Sequence, residues 1–290
     1  MKYSEKTGLL FLLIPVIVWG SVGINVRLLN EQGLEPFTIN FFNMLIGTLF
    51  IWFYARIKKE HIQLKHPKRT MIHLVLQGVF FGLTVITLFF AFLSTSIANA
   101  AFIQKTMAIW VMIASTLYLH EKITKRKILS TGIALVGLAF LLQLNTFTFA
   151  TGDILALLSS FFLAGFILNG RQLKNTSEYT TTFFQLSVAG IVMLPFMLFT
   201  FASNSVENLW MTIVLLLFLG IVNTALTQRL FILGLRYVEA SKASIITYVE
   251  PVSSSLFAFL YYGEQINLVS FAGIALILLS TSLIFSSSKS

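Results

Sequence analysis

The chain contains no cysteine in 290 residues. Disulfides, thiol nucleophiles and cysteine-ligated metals are therefore excluded. Charge is scarce too: Asp, Glu, Lys and Arg together make up 11% of the residues, where an ordinary soluble domain carries about a quarter. The four histidines, His61, His66, His73 and His120, stand without a metal-ligand spacing. No glycine-rich phosphate loop, nucleophile elbow or HExxH occurs, so an ATP-driven pump or an intramembrane protease finds no support and no cofactor is implied.

What is present is apolar. Hydrophobic residues reach 57% and the mean hydropathy is +0.86. Crossing ~30 Å of hydrocarbon at 1.5 Å per residue takes ~20 apolar residues. The sequence predicts ten such stretches, over 8–29, 36–56, 70–93, 96–119, 127–144, 152–171, 180–201, 210–235, 241–262 and 268–286. They are too long and too continuously apolar for barrel strands, which alternate over ~10 residues. The gaps between them are too short for a soluble domain. The expected fold is an all-α membrane protein with the lipid bilayer as its solvent. The polar lead MKYSEKTG is short, and the stretch after it exceeds a signal-peptide core with no small-residue cleavage site, so it is expected to be retained.

The formal charge of +9 comes from lysines and arginines that collect in alternate gaps, not on a solvated face, which argues for topology and against nucleic acid. One side holds Lys2 and Lys6, the run from Arg56 to Arg69, Lys122 to Lys127, Arg171 and Lys174, Arg236 and Lys242, and Lys289. The other side has Arg27 and otherwise uncharged or acidic loops such as QLNTFTF, SNSVEN and GEQIN. Positive segments resist translocation, so both termini are expected in the cytoplasm and the chain in a bacterial-type inner (plasma) membrane.

Shifting the chain by 143 positions brings its halves into register. Glu35-Pro36-Phe37-Thr38 falls on Glu178-Tyr179-Thr180-Thr181, Ser96 to Ala101 falls on Glu239 to Ser244, and Glu121 falls on Glu264. A two-residue slip aligns the identical GIAL segments of Gly132 to Leu135 and Gly273 to Leu276. Five spans per copy, an odd number, set the second copy upside down, giving inverted five-helix repeats over 1–145 and 146–290 in one membrane-embedded unit. Secondary transporters recurrently use this arrangement, with the substrate site near the midplane between the copies.

Trp19-Gly20 in the first span, Glu121 and Glu264 closing the fourth and ninth, Glu250-Pro251 and the two GIAL segments resemble EamA-type members of the drug/metabolite transporter superfamily. The resemblance covers essentially the whole chain. It implies ten helices in two inverted repeats and carriage of a small organic metabolite, and it fits export better than uptake. Two departures stand out: Ala108 matches Pro251 in the first copy, and His120 stands where glycine is common.

Charged residues in the bilayer usually face a cavity or a partner. Lys105 and Glu250 each lie about nine residues from opposite ends of their spans, roughly 14 Å deep, and Lys105 aligns with Tyr248. Arg229 sits about 10 Å from the inner boundary on the same rise. The substrate-binding expectation is that Lys105 and Arg229 receive a carboxylate while Glu250 receives an amine, balances charge or carries a coupling proton. The competing reading is a structural ion pair. Gln104, Gln228 and Tyr248 neighbour these charges, and Trp19 and Trp110 lie deep enough to stack on a substrate, although core packing serves them equally well. Among other polar residues in the spans, such as Asn25, Asn43, Gln77, Asn169, Gln185 and Asn223, interhelical bonding is the simpler role.

The expected function is alternating-access transport of a small organic solute, favouring amino acids or related carboxylates. A carrier of amphipathic drugs or nucleoside-like compounds is the second transport reading, and a non-transporting receptor or assembly subunit the reading from another class.

Overall fold

The computed structural model describes residues 3–144 and 150–286. The expected copy boundary at 145/146 lies outside the described residues, as do Lys2 and Lys289. Helix is the only regular structure among the described residues. It falls in α1 (Glu5–Glu31), α2 (Pro36–Ile57), α3 (Lys68–Ser94), α4 (Ile97–Tyr118), α5 (Lys125–Leu141), α6 (Thr151–Gln172), α7 (Glu178–Ser203), α8 (Leu209–Tyr237), α9 (Ala240–Tyr262) and α10 (Leu268–Ser286).

All of these except α5, nine among the described residues, are long and apolar enough to cross a membrane. At 17 residues, or about 26 Å, α5 is the short one, and it ends three residues before the fifth span was expected to. Gln143 turns into the left-handed region (φ 52°), and Leu144 N–H reaches back to the Ala139 carbonyl at 3.1 Å, a closure of the last turn that stops the helix. Local chemistry sets several starts as well. Pro36 opens α2, where its missing N–H costs nothing, and Ser96 Oγ accepts the Asn99 amide at 3.1 Å to open α4. Asp153 is the third residue of α6. From there its carboxylate accepts from Ala150 N–H at 2.9 Å and from the Thr95 hydroxyl at 2.8 Å.

The helices pack in reciprocal pairs. α3 lies against α6 and α7, α8 lies against α1 and α2, α4 meets α6, α9 meets α1, and α5 runs with α10. The GxxxG of Gly78 and Gly82 permits the approach to α7, since a methyl group on Gly78 would stand 2.5 Å from Val188 Cβ. Outside this core the surface is apolar, with Phe199 90% and Leu268 88% exposed. Such a surface suits hydrocarbon and would be a liability in water.

Four helices are interrupted at depth. α1 breaks at Gly20 and Ser21, α4 at Thr106 and α9 at Thr247 and Tyr248, while α8 widens to a π-helix over Leu219–Leu226. The break in α9 follows from Pro251, which has no N–H to give to the Thr247 carbonyl four residues back. The breaks in α4 and α9 fall within two residues of each other under the 143-residue shift. Irregular backbone at such depth is tolerated where it is buried in protein or lines a cavity, and that requirement locates the site.

Candidate functional site: a cavity between broken helices

A cavity of about 270 Å³ opens among α1, α2, α3, α4, α6, α8 and α9. Gln104, Lys105, Gln228, Glu250 and Trp19, all singled out from the sequence, line it together with Asn40, Asn43, Thr84, Asn223, Phe81, Phe166 and Phe231.

Lys105 and Glu250 are the charged pole. Lys105 Nζ donates to Glu250 Oε2 at 2.8 Å and to the Thr247 carbonyl at 3.3 Å, the same carbonyl that Pro251 leaves short of its helical partner. Tyr248 answers in the other direction, its hydroxyl donating to the Lys105 carbonyl at 2.8 Å. Each broken helix thus has a freed carbonyl capped by a side chain of the other. The pair is unevenly exposed, the Lys105 side chain at 6% and Glu250 at 37%. Glu250 therefore presents its carboxylate to the cavity while the ammonium is consumed beneath it.

The amides form the polar wall. Gln104 gives its NH2 to Ser159 at 3.0 Å, and Gln228 accepts from Gln185 at 2.9 Å. Each is held at one end, Gln104 by a hydroxyl and Gln228 by the other amide. Asn223, inside the π-helical turn, ties down the break in α1 by donating to the Val18 carbonyl at 3.0 Å and to Ser21 Oγ at 2.7 Å. Asn43 differs: it lines the cavity and its buried Oδ1 has no hydrogen-bond partner. A buried acceptor left unpaired costs about 1–3 kcal/mol, which a bound solute or water would recover. Trp19 stacks obliquely on Phe231, ring centroids 5.1 Å apart, and its Nε1 donates to Thr227 at 2.9 Å, so its ring is held rigidly at the wall.

Three expected site residues lie elsewhere. Arg229 does not join Lys105 and Glu250. Its guanidinium pairs with Glu178 at 3.7 Å and lies 4.5 Å from the Tyr179 ring centroid, because its side chain leaves α8 toward the start of α7 and away from the cavity. Tyr248 is fully buried and serves Lys105 without lining the cavity. Trp110 packs on Phe161 at 4.4 Å, also outside the cavity lining. The residue that sequence reasoning underweighted is Asn43, one of many amides in apolar spans with nothing local to mark it out. Glu178 was used only to align the repeats, yet it collects both Arg229 and Arg236.

The end of the bundle carrying the basic loops is closed. Below the cavity lie the Gln185–Gln228 bond, the Glu178 cluster, the Lys242–Glu5 pair and Lys127 with Glu239 at 2.8 Å. Glu121 completes the closure. Buried at 8% exposure, it accepts from Ala240 N at 2.7 Å, Ser241 N at 3.1 Å and Ser241 Oγ at 2.6 Å.

A cavity at mid-depth, walled by interrupted helices and closed over at one end, suits a membrane transport protein. Comparison with known proteins gives the family. The EamA-like transporter family matches over residues 6–143 and 150–286, and the chain belongs to it. Relatives include the uncharacterized transporter YxxF of Bacillus subtilis (strain 168), 26% identical and covering 94% of this chain and 88% of its own. An uncharacterized transporter of Archaeoglobus fulgidus is 28% identical over 96% and 94%. The pseudopaline exporter CntI of Pseudomonas aeruginosa (strain UCBPP-PA14) is 24% identical over 95% and 94%. One crystal structure matches with a TM-score of 0.82 at 17% identity, covering 97% of this chain and 98% of that one, which establishes likeness of fold.

Proposed function

We propose that this protein is a secondary exporter in the inner membrane that carries a small zwitterionic organic solute, an amino acid or a related amino carboxylate, by alternating access. The observation that carries the reading is the Lys105–Glu250 pole sharing one cavity with the unpartnered, buried Asn43 Oδ1. An ammonium group meets the Glu250 carboxylate and the Asn43 Oδ1, and a carboxylate meets the Gln228 NH2, with the Lys105 charge behind Glu250 keeping the pole neutral. A volume of about 270 Å³ sits at or below the ~300–1,000 Å³ of drug-sized sites and favours a small metabolite.

Ten crossings in two inverted copies, 1–145 and 146–290, form the scaffold of this reading, with α5 as the short fifth crossing and both termini cytoplasmic. Support comes from the reciprocal packing pairs, the matched breaks in α4 and α9, and the two stretches matched by the family. Export draws support from the relative named as a pseudopaline exporter, and Glu250 is the group through which a proton would couple.

A second reading has its own observation. Glu250 is the exposed member of the pair and Trp19, Phe81, Phe166 and Phe231 share the wall, which suits an amphipathic organic cation. Counterflow in vesicles reconstituted with the purified protein decides between them: zwitterionic amino acids should displace the carried solute at lower concentration than organic cations of equal size. The reverse order selects the second reading, and binding without any movement of solute defeats both.

A further inference from the structure

Glu121 and Glu264 are equivalent under the 143-residue shift, and their backbones agree. Each follows a residue in the left-handed conformation, His120 at φ 56° and Gly263 at φ 69°. A β-carbon in that region costs roughly 1–2 kcal/mol, a strain that His120 carries and Gly263 does not. The side chains of the two glutamates do opposite things. Glu121 is buried and holds the first amides of α9 through Ala240 and Ser241. Glu264 is exposed. The repeat maps Ala240 and Ser241 onto Ile97 and Ala98, the first two residues of α4, where Ser96 caps only Asn99. Helix starts carry unpaired N–H groups and a positive dipole end, which a carboxylate satisfies.

We propose that Glu121 and Glu264 are alternating latches. In the state seen here Glu121 caps α9 and seals the basic end. In the opposite state Glu264 caps the start of α4 at Ile97 and Ala98, and Glu121 releases Ala240 and Ser241. The two carboxylates exchange places as bound and solvated groups, so each closed end gains one charge-assisted helix cap that the other end lacks. The inference rests on the alternating-access reading above and deepens it by naming what holds each end shut.

The absence of cysteine makes the test direct. Ala101 and Ser244 are repeat equivalents near the two caps, Ala101 partly exposed and Ser244 fully buried. Single Ala101→Cys and Ser244→Cys variants are labelled with a maleimide in the full-length reconstituted protein. Glu121→Gln should raise labelling at position 244 relative to 101 by roughly tenfold, as expected for hydrogen bonds to a charged group. Glu264→Gln should lower that ratio and abolish transport while the cavity still binds solute. Because Glu264 is exposed, its substitution leaves the observed fold intact and decides the matter even where Glu121→Gln fails to fold. Parent protein that alternates and transports, with Glu264→Gln unchanged in ratio and transport, overturns the latch alone. Parent protein in which neither position responds to solute and nothing is transported overturns alternating access and the latch together.

Discussion

The Tyr248 hydroxyl stands 2.8 Å from the Lys105 carbonyl while the Lys105 ammonium stands 3.3 Å from the carbonyl of Thr247, the residue before Tyr248. These residues occupy matching places in the two halves. Their exchange of donors gives the Lys105 carbonyl a partner and the Thr247 carbonyl a second one beside the Glu250 amide at 3.2 Å, and it fixes the height of the ammonium under Glu250.

Tyr248→Phe removes one side of that exchange. The Lys105 carbonyl is left unpaired in a fully buried place, at a cost of about 1–3 kcal/mol. Purified protein should melt several degrees lower, and the maximal transport rate should fall about tenfold with little change in half-saturation, since Tyr248 touches no solute. A variant melting and transporting like the parent would remove the clasp from the account.

Breaking the ion pair should be asymmetric. Glu250→Gln leaves a buried ammonium without its counter-charge, a loss smaller than the ~3–5 kcal/mol of fully buried pairs because water reaches the Glu250 side. Lys105→Met leaves a carboxylate that water can reach and costs less. The double variant should recover most of the stability and none of the transport. Thermal melting of the three proteins, set beside vesicle uptake, measures both halves of the statement, and equal destabilisation by the two single changes contradicts it.

Asn43→Ala separates binding from stability. Its buried oxygen has no partner in the protein, so removing it should leave the melting temperature equal or slightly higher. Solute affinity should drop about 5- to 50-fold, a loss of ~1–2.3 kcal/mol. Titration calorimetry with the carried solute reads the affinity directly. An unaltered affinity would take Asn43 out of the site.

Arg229→Gln tests the corrected placement of that residue. With Glu178 still paired to Arg236, the expected loss is about 1 kcal/mol, or roughly 2–4 °C in melting. Solute affinity should stay within about twofold. A loss of affinity matching that of Asn43→Ala would return Arg229 to the binding set.

Much of the fold was legible from composition and periodicity, because hydrocarbon demands long apolar helices and tolerates few alternatives. The fifth span was misjudged at its end, since a left-handed turn at Gln143 is not encoded in hydropathy. Within the site, Lys105 and Glu250 announced themselves as charges at depth, and the repeat placed them together. Arg229 obeyed the same rule yet found its partner in Glu178, at a helix start that the repeat alignment used only for register. Which way a side chain leaves a helix depends on the turn of neighbouring helices, and the widened turn in α8 alters that phase just before Arg229. Asn43 shows the opposite gap: an amide is unremarkable in sequence, and only the lack of any partner in three dimensions marks it.

The first GIAL segment leads into Gly137 of α5, and the second opens with Gly273 of α10. A methyl group on Gly273 would meet the Gly137 carbonyl at 2.5 Å, and one on Gly137 would meet that of Gly273 at 2.9 Å. Main chain therefore rests on main chain here, with Cα–H groups against carbonyl oxygens and no rotamers between them to cushion a slide. Any side chain at either glycine would act as a wedge, prising those two helices apart along their whole seam.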